Sequence, residues 1–187
     1  MTKSRLFFIA LLPPAEIQSE ITQIKQYFAQ NYDSRHALKS PPHITLQSPF
    51  KWLISDLNRL EQSLKTFAAQ QAFFPVTLSG FNAFPPRVIY VDVVKTTELM
   101  NLQNNLVADL LYDLGDFNSR SSHHRFTPHM TVAFRDLTRE NFRAGWTEFK
   151  NKPIQYEFVA NQLTLLIHTG KYWQVEQEYL FGKSGQN

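Results

Sequence analysis

The stretches Pro42-His43-Ile44-Thr45-Leu46 and Pro128-His129-Met130-Thr131-Val132 follow one pattern: proline, histidine, apolar residue, threonine, apolar residue. Successive side chains of a β-strand point to opposite faces, so the histidine and the threonine of each copy should share one face. The apolar residues between and after them should then face a hydrophobic core. One copy alone is a common pattern, but the second copy, 86 residues further along (129 − 43), predicts a paired histidine site.

The segments around the two motifs repeat as well. An apolar strand, at residues 5–12 or 87–94, is followed by a helix before each motif. After each motif a hydroxyl residue, Ser55 or Thr138, is placed to cap another helix. The repeated unit is therefore strand, helix, histidine strand, helix, which predicts a duplicated half.

The rest of the chain predicts about eight strands and four helices. Further strands are expected at residues 74–84, 156–168 and 172–181, and Pro85-Pro86 should connect two strands as a hairpin. The polar stretch at residues 115–125 predicts a loop just before the second motif, where a substrate lid could lie. Apolar residues recur at helical spacing in four segments, namely Ile17, Ile21, Ile24 and Phe28; Leu57, Leu60, Leu64 and Phe67, after Ser55; Leu99, Leu102, Leu106 and Leu110, after Thr97; and Phe142, Trp146 and Phe149.

Composition limits the class of protein. At 187 residues with 43% hydrophobic residues, the chain is long enough for one folded domain with a sizeable core. It has no cysteine, which excludes disulfides and fits a cytoplasmic protein. No apolar run approaches the roughly 20 residues of a membrane span, and the net charge of +3 predicts no surface for duplex DNA. We expect a monomer.

Two histidines and two threonines suit one kind of chemistry. Because the histidine pKa is near 6.5, a neutral and a protonated imidazole can serve as general base and general acid around one reacting centre. The threonine hydroxyls can donate hydrogen bonds to the two non-bridging oxygens of a phosphodiester. A metal site would need a third ligand, and His123, His124 and His168 stand in no ligand motif, so we expect neither metal nor cofactor.

The two motifs, with Phe126-Thr127 before the second and the leading strand Arg5-Leu6-Phe7-Phe8-Ile9, resemble the 2H phosphoesterase superfamily. Within it, the chain resembles the bacterial 2′-5′ RNA ligase-like proteins, also called RNA 2′,3′-cyclic phosphodiesterases. The resemblance covers roughly residues 5–181. It implies an α+β fold in which residues 1–187 form a single bilobal domain. Two pseudo-symmetric lobes, each a mainly antiparallel sheet flanked by helices, would enclose a central cleft.

The resemblance also implies an activity and its residues. His43 and His129 would be catalytic, with Thr45 and Thr131 binding phosphate oxygens. The substrate would be a 2′,3′-cyclic phosphate of an RNA end or a nucleotide, opened to a 2′-phosphate with His43 as acid and His129 as base. Symmetry permits the reverse assignment, and 2′-5′ ligation is the reverse reaction. Other 2H branches act on ADP-ribose cyclic phosphate or 2′-5′ oligoadenylate, and a non-catalytic RNA-binding module is a third interpretation.

Four further residues are candidates for substrate binding. Arg135 comes one position later than the arginine that often follows the second motif in the RNA ligase-like proteins, yet strand alternation puts it in phase with His129. Arg125 precedes the second motif, where it can bind a terminal phosphate or be a solvated loop residue. Lys171 lies in a turn, where it can contact the ligand. Tyr90, in the middle of a strand, is placed to stack on a base or to fill the core.

Overall fold

The computed structural model describes residues 3–115 and 125–182 of the protein. The predicted loop at residues 115–125 lies outside the described residues except for its two ends. In chain order the elements are β1 (Ser4–Leu11), α1 (Ala15–Asn31), β2 (Ile44–Leu53), α2 (Leu57–Ala69), β3 (Phe74–Phe84), β4 (Val88–Val93), α3 (Thr97–Leu114), β5 (His129–Ala133), α4 (Arg139–Phe149), β6 (Gln155–Ala160), β7 (Gln162–His168) and β8 (Trp173–Leu180). Short 3-10 turns at His36–Lys39 and Ile54–Asp56 precede β2 and α2.

The strands form two four-stranded antiparallel sheets. Their orders are β2-β1-β7-β8 and β5-β4-β3-β6, so the two motif strands, β2 and β5, each lie at the edge of a sheet. These two edge strands contact each other in the middle of the molecule. The structure confirms the predicted α+β class, the duplicated unit of strand, helix, motif strand and helix, and the hairpin at Pro85-Pro86, which joins β3 to β4.

Strand β1 is buried on both faces, which explains why its sequence is a continuous apolar run. Phe7, Ile9 and Leu11 point into the main core under the helices. Phe8 and Ala10 point to the opposite face, where they form a small second cluster with Leu166. A strand buried on both faces loses the alternation of apolar and polar residues that a half-exposed strand keeps.

The helices interlock the two halves of the chain. Helix α1, from the first half, packs on β5, and helix α3, from the second half, packs on β2. Asp136, in the turn after β5, accepts hydrogen bonds from Ser34 Oγ (3.1 Å) and from the backbone N–H of Arg35 (2.8 Å) in the turn after α1. Each motif strand is therefore packed against a helix from the other half of the chain, and this packing holds β2 and β5 against each other. None of the described helices is long and apolar enough to cross a membrane.

Two sequence expectations about the bounds of elements were wrong. Ser55 does not cap α2, which begins at Leu57, because the Ile54–Asp56 turn intervenes and the Ser55 hydroxyl hydrogen-bonds the Asp56 carboxylate instead. Thr96 caps α3, which begins at Thr97, by accepting a hydrogen bond from the backbone N–H of Leu99. Thr138 does cap α4, through the N–H of Asn141, as expected.

The second wrong expectation was a single strand over residues 156–168. The chain there forms two strands separated by Asn161: β6 pairs with β3 in one sheet, and β7 pairs with β1 and β8 in the other. Apolar content indicates how deeply a strand is buried but not which strand it pairs with. The sequence pattern therefore did not show that the chain passes from one sheet to the other between β6 and β7.

Gly145, in the middle of α4, marks a close approach between helices. A Cβ added there would lie 2.9 Å from Cε1 of Phe28, a fully buried ring on α1 that also contacts Phe149 at 4.6 Å between ring centroids. Glycine therefore lowers the intrinsic stability of α4 but permits α1 and α4 to pack closely.

We expect Gly145→Val to lower the free energy of unfolding by about 1–3 kcal/mol, because the core must make room for the added side chain. Urea unfolding followed by circular dichroism measures the change. Ala144→Val, at an exposed position of the same helix, is the matched control for the cost of a β-branched residue. Combining Gly145→Val with Phe28→Leu should recover part of the loss, and strictly additive losses would contradict the proposed close contact.

Candidate active site

The two histidines are anchored in the same way. His43 Nδ1 lies 2.6 Å from the carbonyl oxygen of Pro41, and His129 Nδ1 lies 2.7 Å from that of Thr127. A carbonyl oxygen only accepts hydrogen bonds, so Nδ1 of each ring carries the proton and donates it. Nε2 of each ring is then the nitrogen that can exchange a proton with a ligand.

The proline of each motif explains this anchor. Pro42 and Pro128 stand between the accepting carbonyl and the histidine, and proline holds the residue before it in an extended conformation. That conformation fixes the direction of the carbonyl group two residues before each histidine. The same dipeptide geometry therefore recurs at both ends of the site.

An aromatic ring from an inner strand of each sheet supports each imidazole. Phe8 of β1 lies 4.7 Å from His43 between ring centroids, and Tyr90 of β4 lies 5.1 Å from His129. Trp173 packs against Phe8 at 4.7 Å, and Phe84 contacts both Tyr90 and His129. The rings restrict imidazole rotation, so Nε2 stays directed toward one place.

A cleft of about 670 Å³ opens between the two lobes. Thr45 and His129, which come from different motifs, both line it. Helix α3 forms one wall, and Phe84, Arg125 and Phe126 form the side next to β5. A space of this size accepts a nucleotide, since ligand pockets commonly measure about 300–1,000 Å³.

Both histidines favour the neutral form. Burial, followed by the nearby charge of Lys25, lowers the pKa of His43 to about 4, against the opposing effect of the Pro41 carbonyl. Burial also lowers the pKa of His129, whereas the Thr127 carbonyl and the Asp92 carboxylate raise it. The two imidazoles therefore lie near different charges, although both hydrogen-bond a backbone carbonyl oxygen through Nδ1.

The structure places the predicted binding residues in different surroundings. Arg125 is exposed at the edge of the cleft. Lys171 is exposed in the turn between β7 and β8, with Nζ 5.1 Å from the centroid of the Tyr172 ring. Tyr90 is only 3% exposed, and its ring packs on His129, so the contact it makes in this structure is with the imidazole. Binding roles for these residues stay predictions.

The expected strand phase of Arg135 was wrong. Strand β5 ends at Ala133, and Arg135 has a φ of 60°, so the alternation of side chains does not reach it. Its guanidinium lies 3.3 Å from Nε2 of His36. His36 is half-buried and contacts the ring of Phe134 at 5.1 Å between ring centroids. Whether Arg135 contacts substrate stays a prediction.

Sequence reasoning missed two charged residues beside the histidines. Lys25 is 2% exposed in α1, and its Nζ donates a hydrogen bond of 3.0 Å to the carbonyl oxygen of Ser40. Asp92 lies directly opposite His129 in the pairing of β4 with β5. Both left a signal: Lys25 stands on the apolar face of α1, four residues after Ile21 and three before Phe28, and Asp92 interrupts the apolar strand.

The described side chains around the two motifs contain no group that could hold a metal ion. Within residues 3–115 and 125–182, no three histidine, cysteine, aspartate or glutamate side chains come together as a group that could hold a metal ion. His123 and His124, which the sequence offered as possible third ligands, lie outside the described residues.

Comparison with protein families finds a match to the 2′-5′ RNA ligase superfamily over residues 13–171. A protein of Geobacillus sp. (strain WCH70) named "Putative phosphoesterase" is 28% identical over 182 residues, which cover 95% of this chain and 97% of that protein. A protein of the same name from Staphylococcus saprophyticus is 29% identical over 175 residues, 91% of this chain and 96% of the other.

Solved structures share the fold. E. coli LigT in complex with 3′-AMP superimposes with a TM-score of 0.68 at 18% identity, covering 97% of this chain and 100% of that chain. TT0787 of Thermus thermophilus superimposes with a TM-score of 0.67 at 17% identity, covering 96% of this chain and 100% of the other. The predicted resemblance and the predicted bilobal α+β fold are thereby confirmed.

We expect the stability of the protein to fall in mild acid because of His43. Its pKa is about 4 in the folded protein and 6.5 in the unfolded chain. Between these values the unfolded chain binds a proton that the folded protein does not, so the free energy of unfolding should fall by about 2–3 kcal/mol as the pH drops through this range.

Urea unfolding at several pH values measures this effect, and His43→Gln is the comparison because glutamine stays neutral. The difference in stability between the variant and the wild-type protein should change by that amount across the range. Parallel curves would show that the imidazole is as well hydrated in the folded protein as in the unfolded chain.

Proposed function

This chain belongs to the 2′-5′ RNA ligase superfamily of 2H phosphoesterases, and we propose that it hydrolyses a 2′,3′-cyclic phosphate at an RNA end or on a nucleotide. One observation carries the proposal. Two imidazoles are anchored alike through Nδ1, and each is followed by a threonine two residues later. His43 directly precedes β2 and His129 begins β5, and these two strands contact each other. Such a site offers a base, an acid and two hydroxyl donors around one phosphorus atom.

The reaction needs one proton removed and one supplied. Nε2 of one neutral histidine takes a proton from water as the water oxygen bonds to phosphorus. Nε2 of the other, protonated histidine gives its proton to the ribose oxygen as the bond from that oxygen to phosphorus breaks. The net change is the addition of water, and departure of the 3′ oxygen leaves a 2′-phosphate. Each proton transfer contributes roughly 10²–10⁴-fold in rate.

Thr45 and Thr131 supply the second element of catalysis. Each stands two residues after its histidine and shares the face of that histidine. The hydroxyls would donate hydrogen bonds to the two non-bridging oxygens, where negative charge grows as water attacks. Donors held in place by a folded sheet stabilise that charge without having to reorganise.

The cleft supports a nucleotide substrate. Phe84 and Phe126 give it apolar ring surfaces, and Asn104 and Arg125 give it polar and cationic groups. A base can stack on an aromatic ring whatever its identity, which suits an RNA end of varied sequence. Because the mechanism uses only protons and hydrogen bonds from the chain, we propose that it requires no metal. Hydrolysis in the cytoplasm by a monomer, and ligation as the reverse reaction, are part of the same hypothesis.

We expect the purified protein to open 2′,3′-cyclic nucleotides with EDTA present. Phosphorus NMR of a substrate panel, including ADP-ribose cyclic phosphate and 2′-5′ oligoadenylate, would identify the substrate and the ribose oxygen that keeps the phosphate. The expected product is a 2′-phosphate. Complete loss of turnover in the chelator would contradict the metal-free mechanism, and turnover of none of these compounds would contradict the proposed function and favour RNA binding without catalysis.

We expect His43→Ala and His129→Ala each to lower kcat by about 10²–10⁴-fold or more, because each removes one of the two proton transfers. The double variant should be little worse than the worse single variant, since the two residues act as a unit. Single-turnover kinetics measures the chemical step. Near-normal turnover of either single variant would refute the paired mechanism.

We expect milder effects from Thr45→Val and Thr131→Val. Each removes one hydrogen bond to a charged oxygen, which is worth about 1.5–3 kcal/mol, or roughly 10–100-fold in kcat/KM. Thr66→Val, at an exposed position of α2, is the matched control and should leave kcat/KM unchanged. Equal effects of all three substitutions would show that the motif threonines do not contact the phosphate.

A further inference from the structure

The two motifs lie in a pseudo-symmetric frame, but the charges beside them differ in sign. We propose that Lys25 and Asp92 assign the two proton transfers, making His43 the general base and His129 the general acid. This inference rests on the proposed function and deepens it. It reverses the assignment implied by family resemblance, in which His43 is the acid.

Lys25 brings a cation to the first motif. Helix α1 places its side chain inside the protein, and Nζ hydrogen-bonds the carbonyl oxygen of Ser40, three residues before His43. Because the side chain is buried, it cannot rotate into solvent, whereas the side chain of an exposed lysine can. Its charge therefore acts at a fixed place beside His43 with little screening by water.

Asp92 brings an anion to the second motif. It pairs directly with His129 across β4 and β5. Its carboxylate accepts hydrogen bonds from Asn82 Nδ2 (3.2 Å) and from the backbone N–H of Val93 (3.0 Å), which fix its position. An anion at this position can stabilise an imidazolium on His129.

In the described part of the chain, neither charge has a counterpart at the matching position of the other half. Extending the pairing of Leu11 with Ile44 by one residue places Leu12 opposite His43, where Asp92 lies opposite His129. Helix α3, which corresponds to α1 in the repeated unit, contains no lysine or arginine within its described residues, Thr97–Leu114. The strands and helices around the two histidines are duplicated, but the charges of Lys25 and Asp92 are not.

The consequence for the two imidazoles has opposite sign. A cation beside His43 disfavours its protonated form, and an anion beside His129 favours it. The pKa values move accordingly, since Lys25 adds to burial in lowering that of His43, and Asp92 raises that of His129 against the effect of burial. Burial lowers the pKa of Lys25 itself to about 7, so the lysine carries its charge in the acidic range where the histidines titrate.

Within residues 3–115 and 125–182, the charges that shift the pKa of His43 come from Lys25 on α1 and His129 on β5, and the charge that shifts the pKa of His129 comes from Asp92 on β4. A different set acts on His36, namely Arg135, Lys39, Asp136 and His168. Lys25 and Asp92 are thus positioning residues that act through the two histidines without contacting the reacting atoms.

NMR titration of the histidine side chains in the intact protein tests the inference without any substrate. We expect Lys25→Met to raise the titration midpoint of His43, and Asp92→Asn to lower that of His129, each by about one pH unit and each with little effect on the other ring. Lys25→Arg, which keeps the charge, should leave His43 close to its wild-type midpoint.

Lys39→Met and Asp109→Asn are the matched controls, since each removes one charge of the same sign from an exposed position. They should move neither midpoint. The inference is overturned if Lys25→Met leaves His43 unmoved, or if Asp92→Asn leaves His129 unmoved. Because these readings come from the free protein, they stand whether or not a cyclic phosphate proves to be the substrate.

A modified substrate separates the roles of acid and base. Sulfur in place of the departing ribose oxygen makes a leaving group that needs no proton. With this analogue, His129→Ala should regain most of its lost rate, whereas His43→Ala should stay impaired because water must still be deprotonated. In the kcat/KM profile of the natural substrate, Lys25→Met should move the acidic limb to higher pH. Recovery of His43→Ala instead would overturn the assignment.

Discussion

The hydrogen bond from each histidine Nδ1 to the carbonyl oxygen two residues before it is the constraint on which the site depends. It sets the tautomer, so Nε2 is the nitrogen that faces a ligand, and it fixes the plane of the ring. The intervening proline makes this geometry a property of a short segment, which can therefore be duplicated. With the anchor in place, strand alternation alone puts a threonine hydroxyl beside each imidazole.

Two anchored histidines form one site only because the motif strands meet. Both β2 and β5 lie at sheet edges, and each is covered by a helix from the other half of the chain. The close approach of α1 and α4 at Gly145 and Phe28 belongs to the same packing. Helix α1, which packs on β5, also brings Lys25 to the loop before His43, where Nζ hydrogen-bonds the carbonyl oxygen of Ser40.

The duplicated motif supplies the two histidines of the site, and the charges that differ between the two halves assign one as acid and the other as base. Acid–base catalysis around one phosphorus atom requires two groups of the same type in different protonation states. The repeated backbone supplies the two groups, and the charges of Lys25 and Asp92 distinguish them. The aromatic supports differ as well, because Phe8 backs one imidazole and Tyr90 with Phe84 backs the other.

The sequence by itself determined the two motifs, the duplicated unit and most elements, because periodicity and proline act over a few residues. It predicted the histidine and threonine of both motifs as one set, since matched copies imply matched positions. Tertiary structure alone decided the partners: β6 and β7 enter different sheets, Arg135 leaves the strand phase, and His36 is half-buried. It also decided that Lys25 and Asp92 lie beside different histidines. Such placements arise from packing between segments far apart in the chain, and local pattern carries no record of which distant surfaces meet.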